Sequence, residues 1–161
     1  MKFEISVYHY TKDKDFRLNE IVIKNSGDYW CKPKGGIWTS PVGCEYGWDE
    51  FCEEADCIST DGRPKIELSL SGEFIVIDSI AHLDKLPWVS LMGSGIEYID
   101  FEKLVKEGID GIYLTEQGER RTRIPYMYGG SPGKFRNLNG WDCECVLILN
   151  DKCVRSWKEI I

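Results

Sequence analysis

The sequence predicts an α+β domain. Strand-like apolar runs recur along it, at 3–9, 37–40, 74–77, 111–115 and 146–149. Stretches with helical spacing fall between them, but without the regular strand–helix alternation that builds a doubly wound sheet. No repeat, low-complexity tract or interdomain linker breaks the 161 residues. That length suits one domain with a core of ordinary size, so residues 1–161 read as a single domain.

Each element has its own local reason. Phe3, Ile5, Val7 and His9 alternate with Glu4, Ser6 and Tyr8, the period of a half-buried strand. His9 continues the apolar face at the strand's end, either as a core histidine bonded to a carbonyl or as a site residue. Leu18, Ile21 and Val22 follow at helical spacing behind Asp15, a favourable N-cap, and predict a short helix closing near Asn25-Ser26-Gly27. Residues 33–48 form a patch rich in glycine and tryptophan. Gly35 and Gly36 allow a tight turn or a close approach, and a short strand over 37–40 ends against Pro41. Trp38 there reads equally as a ligand rim or as core packing.

Trp48, Phe51, Cys52 and Ala55 line one face of a helix, with Asp49 and Glu50 in its first turn as the helix dipole prefers. A polar connector occupies 58–65, a strand 74–77, and a helical turn with a loop 80–98. Asp100 caps a helix whose Phe101, Leu104 and Val105 face inward, stopped at Gly108. A strand at 111–115 then leads into a turn, Glu116-Gln117-Gly118-Glu119. Val146 to Leu149 is an apolar run closed by Asn150-Asp151, read as a buried strand turning back as a hairpin into 153–157. Asp142 and Glu144 stand two apart at its entry, on one face of the strand. A glycine-rich loop, 129–140, leads into them.

Composition narrows the function classes. The chain is 42% hydrophobic and 29% charged, which is a globular rather than a disordered balance. No apolar run approaches the ~20 residues that cross a bilayer. The N-terminal alternation lacks a secretory leader's apolar core, so a cytoplasmic location without membrane attachment is expected. Seven cysteines without a Cys-x-x-Cys pair, and two distant histidines, imply reduced thiols and no metal site. The net charge of −7 disfavours a protein built on phosphate contacts, although Arg120, Arg121, Arg123, Lys134 and Arg136 are local exceptions. Gly129-Gly130-x-x-Gly133-Lys134 lacks the spacing of a phosphate-cradling P-loop and precedes a strand. A thiol nucleophile at Cys143 or Cys145 would need an oriented histidine.

Three pieces stand in order: Tyr8-His9-Tyr10-Thr11 ending the first strand, Gly36-Ile37-Trp38-Thr39-Ser40 in an early strand, and Asp142-Cys143-Glu144 entering a late one. Together with the helix-then-strand section 100–115, this order resembles the ADP-ribosyltransferase superfamily, in the branch with His in the first motif and Glu in the third. The resemblance implies split β-sheets around an NAD cleft with flanking helices. It also implies mono-ADP-ribosyl transfer from NAD to a protein or nucleic-acid acceptor, with release of nicotinamide. His9, Tyr10, Thr11, Gly36, Trp38, Thr39 and Ser40 would bind NAD. His9 would hold the adenosine-side ribose and Trp38 would pack near nicotinamide. Thr39 or Ser40 would orient the catalytic acid.

Glu144, with Asp142 before it, would be the catalytic acid, stabilising the oxocarbenium-like cation. One such electrostatic partner is worth ~3 kcal/mol of barrier, or ~10²-fold in rate. The loop over 126–140 would grip the acceptor with Lys134, Phe135 and Arg136. Tyr46 or Trp48 could take the place of Trp38, and Asp142 is shorter than the Gln or Glu common there. Without the family role, Asp142 reads as a strand-start cap or a partner of Arg123 or Arg136, and Glu144 as a surface carboxylate. The competing functions are NAD glycohydrolysis, RNA 2′-phosphotransfer, and a non-catalytic binding or inhibitor protein on the same fold. Small size and acidity suit an effector or toxin.

Overall fold

The computed structural model describes residues 2–11, 14–26, 31–55, 63–90, 97–123, 136–138 and 140–160. It is a mixed α+β fold. In chain order the elements are β1 (Lys2–Tyr10), β2 (Ile37–Pro41), α1 (Trp48–Ala55), β3 (Lys65–Ile77), a 3₁₀ turn (Ile80–Lys85), β4 (Trp88–Ser90), β5 (Glu97–Ile99), α2 (Phe101–Lys106), β6 (Gly111–Leu114), α3 (Glu116–Arg123), β7 (Cys145–Ile148), a second 3₁₀ turn (Asp151–Cys153) and β8 (Val154–Ile160). Among these, no helix is long and apolar enough to cross a membrane.

Six strands share one sheet in the order β1-β2-β7-β6-β3-β8, and β3 also pairs with β1. The pairings β1–β2–β7–β6–β3–β1 therefore close into a ring. β3 makes this possible through its length. Residues 65–73 pair antiparallel with β1, while Phe74–Ile77 run parallel to β6. One hydrophobic cluster takes side chains from all five ring strands: Val7, Ile37, Leu68, Tyr113 and Val146 among them. The other gathers Trp38, Ile112, Trp141, Cys145 and Leu147 with α1, α2 and the first 3₁₀ turn. β7 feeds both, because successive side chains of a strand point to opposite faces.

Several local expectations fail, each for a reason of pairing or packing. Residues 14–26 form no helix. Ile21 packs on the core, Val22 is 62% exposed and Ile23 is buried, an alternation that belongs to extended chain. This segment bridges to the next at Lys24–Lys34. β7 and β8 are not a hairpin either. β2 and β6 occupy both edges of β7, so the turn at Asp151–Cys153 hands β8 to β3 instead. The strand expected at 74–77 starts at Lys65, in the alternation of Ile66, Leu68 and Leu70. Glu116–Glu119 is no turn but the first part of α3, whose N–H of Gly118 donates to Thr115 Oγ1 at 3.0 Å.

Asp100 does cap α2, accepting from Lys103 N–H at 3.1 Å. Asn25 supports it from the neighbouring segment, accepting from the N–H groups of Phe101 and Glu102 at 2.8 and 3.2 Å. Val105, expected inside, is 37% exposed. Gly108 ends the helical stretch with φ +80°.

Candidate functional site

A pocket of about 240 Å³ opens where β1, β2 and α1 meet, lined among others by His9, Tyr10, Lys32, Trp38, Trp48 and Arg63. Trp38 lies opposite Leu147 in the β2–β7 ladder, so its ring sits on the outer face of the sheet. It meets Trp141 and Trp48 edge to face, at 4.9 and 5.8 Å between ring centres. Trp48 is the first residue of α1, and Ser40 holds it there by accepting its backbone N–H at 2.8 Å. Its indole Nε1 is buried without a hydrogen-bond partner among the described residues. Lys32 Nζ hangs over both rings, 5.5 Å from Trp38 and 5.7 Å from Trp48.

His9 enters the same pocket from the end of β1. Its Nδ1 lies 2.9 Å from the Trp38 carbonyl. A carbonyl only accepts, so Nδ1 carries the proton and Nε2 is the acceptor. Burial pushes the His9 pKa down, outweighing the carbonyl, and the ring is neutral at pH 7. Burial likewise raises the Tyr10 hydroxyl, helped by the Asp49 carboxylate bonded to it.

The two acids part company. Asp142 belongs to the aromatic pocket's side: its carboxylate lies 4.0 Å from Lys32 Nζ. Among the described residues its ion pair is with Lys32, not with Arg123 or Arg136. Glu144 turns the other way and accepts from the Tyr113 hydroxyl at 2.6 Å. Tyr113 lies opposite Val146 in the ladder and belongs to the ring cluster, so Glu144 faces the side of β7 that Trp38 does not. Both acids precede β7, which begins at Cys145, so they do not share a face of that strand as expected. Glu144 lines a separate, open depression with Ser6, Val42, Cys44 and Glu116. Burial and the Glu144 carboxylate raise the Tyr113 hydroxyl, burial being the larger.

The hydroxyls of the second motif are engaged with backbone. Thr39, fully buried, donates to the Val146 carbonyl at 2.8 Å, and Ser40 donates to the Glu144 carbonyl at 3.1 Å. They fix the entry to β7 rather than touching a carboxylate. Gly36, at φ +88°, lets the chain pass against β7: a Cβ there would meet Leu147 Cδ1 at 2.9 Å. Thr11 is buried and lines a different depression, with His9, Phe16 and Gly36, its N–H donating to the Pro64 carbonyl at 3.1 Å.

Lys134 and Phe135 lie outside the described residues. Arg136 is held by Glu97, at 2.7 and 3.2 Å, and by Asp84 at 3.2 Å, beside the Trp88 ring. A guanidinium so paired buttresses β4 and β5. Among the described cysteines, Cys44, Cys143, Cys145 and Cys153 are free thiols. Burial raises Cys143 and Cys145, and burial with Glu144 lifts Cys44 to about 11, so none of these three is primed as a thiolate nucleophile. Among the described residues no group of three or more His, Cys, Asp or Glu is placed to hold a metal ion.

The structure thus joins His9, Tyr10 and Trp38, adds Asp142 through Lys32, and separates Glu144. Sequence reasoning missed Lys32, Arg63 and Tyr113. Nothing local marks them, since each acquires its place only when distant segments meet. Comparison of the chain with models of protein families, with curated proteins and with solved structures gives no match.

Proposed function

We propose that this chain is a mono-ADP-ribosyltransferase that takes NAD into the His9–Trp38–Trp48 pocket and passes ADP-ribose to a macromolecular acceptor, protein or nucleic acid. The observation that carries the reading is the pocket's mixture of groups. Two indoles offer a stacking surface for a base or nicotinamide. Lys32 and Arg63 supply cations for a diphosphate, and His9 a neutral acceptor for a ribose hydroxyl. The Trp48 indole N–H, without a partner among the described residues, is a further donor beside the pocket. At about 240 Å³ the cavity is smaller than the ~300–1,000 Å³ of a whole ligand site, so it takes one end of a dinucleotide.

Of the two acids, Asp142 is the one on this side. Phosphates drawn to Lys32 compete with its ion pair and free the carboxylate. The glycosidic bond to nicotinamide then breaks, nicotinamide leaves with the bonding electrons, and the freed carboxylate stabilises the ribosyl cation. The acceptor's nucleophile attacks the same carbon and loses its proton.

The test is release of nicotinamide from labelled NAD, with and without cell lysate, for wild type, Asp142→Asn, Glu144→Gln and Trp38→Ala. Lysate-dependent release with label on a macromolecule, lowered ~10²-fold in Asp142→Asn and spared in Glu144→Gln, is the expected result. Loss in Glu144→Gln alone would move the chemistry to the Tyr113 depression. Release without lysate would make the protein an NAD glycohydrolase. Wild-type protein that neither consumes nor binds NAD would sink the reading altogether.

A further inference from the structure

The corner that Trp38 and Trp48 enclose already holds a cation. The two indoles stand at 85° to one another, one a floor and the other a wall. Each is braced by a further ring: Trp141 meets Trp38 at 82°, and Phe51 meets Trp48 at 80°. Lys32 Nζ lies over both faces at nearly equal distances, 5.5 and 5.7 Å from the ring centres. Indole is the aromatic side chain that best attracts positive charge to its face, and sets of such faces recognise organic cations.

Lys32 is loosely held there. Both distances fall near the ~6 Å outer limit of a cation–π contact. Its ion pair with Asp142 spans 4.0 Å between two partly exposed side chains, a weak arrangement. An ammonium on a flexible four-carbon stem is also strongly hydrated, so it turns out to water readily. The indole faces thus have a resident that a better-fitting cation can replace. Better fitting here means flat: a planar ring laid on one indole sets its edge against the other, so both electron-rich faces act on it.

We propose that the Trp38–Trp48 corner is a seat for a flat N-alkylated pyridinium cation, and that Lys32 is the exchangeable plug that occupies it until that cation arrives. That the cation is the nicotinamide ring of NAD rests on the function proposed above; the seat itself rests on the two indoles and Lys32. Such a seat selects the oxidised dinucleotide, because the reduced ring is uncharged. It also lets go of its product. When the bond from ring nitrogen to ribose breaks, the electron pair stays on nitrogen and the positive charge passes to the ribosyl carbon. Nicotinamide is then neutral, and Lys32 returns to the indoles.

Isothermal titration calorimetry on the full chain tests the seat with 1-methylnicotinamide, a cation, and nicotinamide, its neutral counterpart. Removing the plug should help the cation alone. Lys32→Ala is expected to bind 1-methylnicotinamide on the order of tenfold more tightly than wild type does, the scale of a desolvated cation–π contact, with nicotinamide affinity unchanged. Adding Trp38→Leu to Lys32→Ala should abolish the gain. Lys32→Met, which keeps an apolar stem, serves if the alanine variant fails to fold. Equal tightening of both compounds would mean that Lys32 only fills space, and overturns the proposal. So does a Lys32→Ala protein that binds neither compound, or binds the cation no better than wild type. Neither compound carries ADP-ribose, so the result is independent of NAD turnover. A cation preference in a protein that leaves NAD intact removes the transferase reading and keeps the seat; NAD turnover without the preference does the reverse.

Discussion

At the scale of single residues, His9 shows how a packed position and a site position can be the same one. Its Nδ1–H is spent on the Trp38 carbonyl, which fixes the tautomer, and its ring fills space beside Phe16 at 5.9 Å. The core-histidine reading therefore describes its hydrogen bond, while Nε2 is what a ligand would use. Burial lowers its pKa below the usual 6.5, so the unfolded chain takes up a proton that the folded ring resists. The His9 contribution to stability is thus complete above about pH 6.5 and declines as pH falls from there toward the folded value. Wild-type thermal stability should fall more steeply than that of His9→Gln across this window. Parallel curves for the two proteins would show that His9 does not titrate in the fold.

At the scale of elements, α3 shows why a glycine misleads. Gly118 read as turn chemistry because glycine is a poor helix former. In the fold it is buried in the helix, where a Cβ would meet the Ile77 carbonyl oxygen at 2.0 Å. No rotamer relieves a clash with backbone, so the helix and β3 would have to separate. Gly118→Ala should cost about 3 kcal/mol, the upper end of the usual range of core overpacking. Gly108→Ala meets nothing within 4 Å and carries only the left-handed strain of φ +80°, about 1 kcal/mol. Chemical denaturation of the two variants checks the order, and equal losses would mean that α3 shifts freely.

At the scale of the whole molecule, β7 holds the two hydrophobic clusters together. Val146 faces the ring cluster and Leu147 the outer one, both fully buried. Leu147→Ala should cost about 2–5 kcal/mol and Val146→Ala less, since fewer methyl groups are lost. Both should shift one shared unfolding transition. Two separate transitions, seen by tryptophan fluorescence and far-ultraviolet circular dichroism, would show that the clusters unfold independently. The sequence by itself determined the mixed α+β class and most elements, including β1, β2, α1, α2, β6 and β7, because alternation, helical spacing and the Asp100 cap are properties of neighbouring residues. It also brought forward His9, Tyr10, Trp38 and Asp142, which the fold collects at one pocket directly or through Lys32. Only the tertiary structure decided that β8 joins β3 rather than β7, and that residues 14–26 run extended. Only it decided that Glu144 meets Tyr113 on the far side of β7 from Trp38. Those outcomes depend on which edges of β7 are already occupied and which face of the sheet each residue must take. Both are set by contacts between residues roughly a hundred positions apart, such as Thr39 with Val146, beyond the reach of any local pattern.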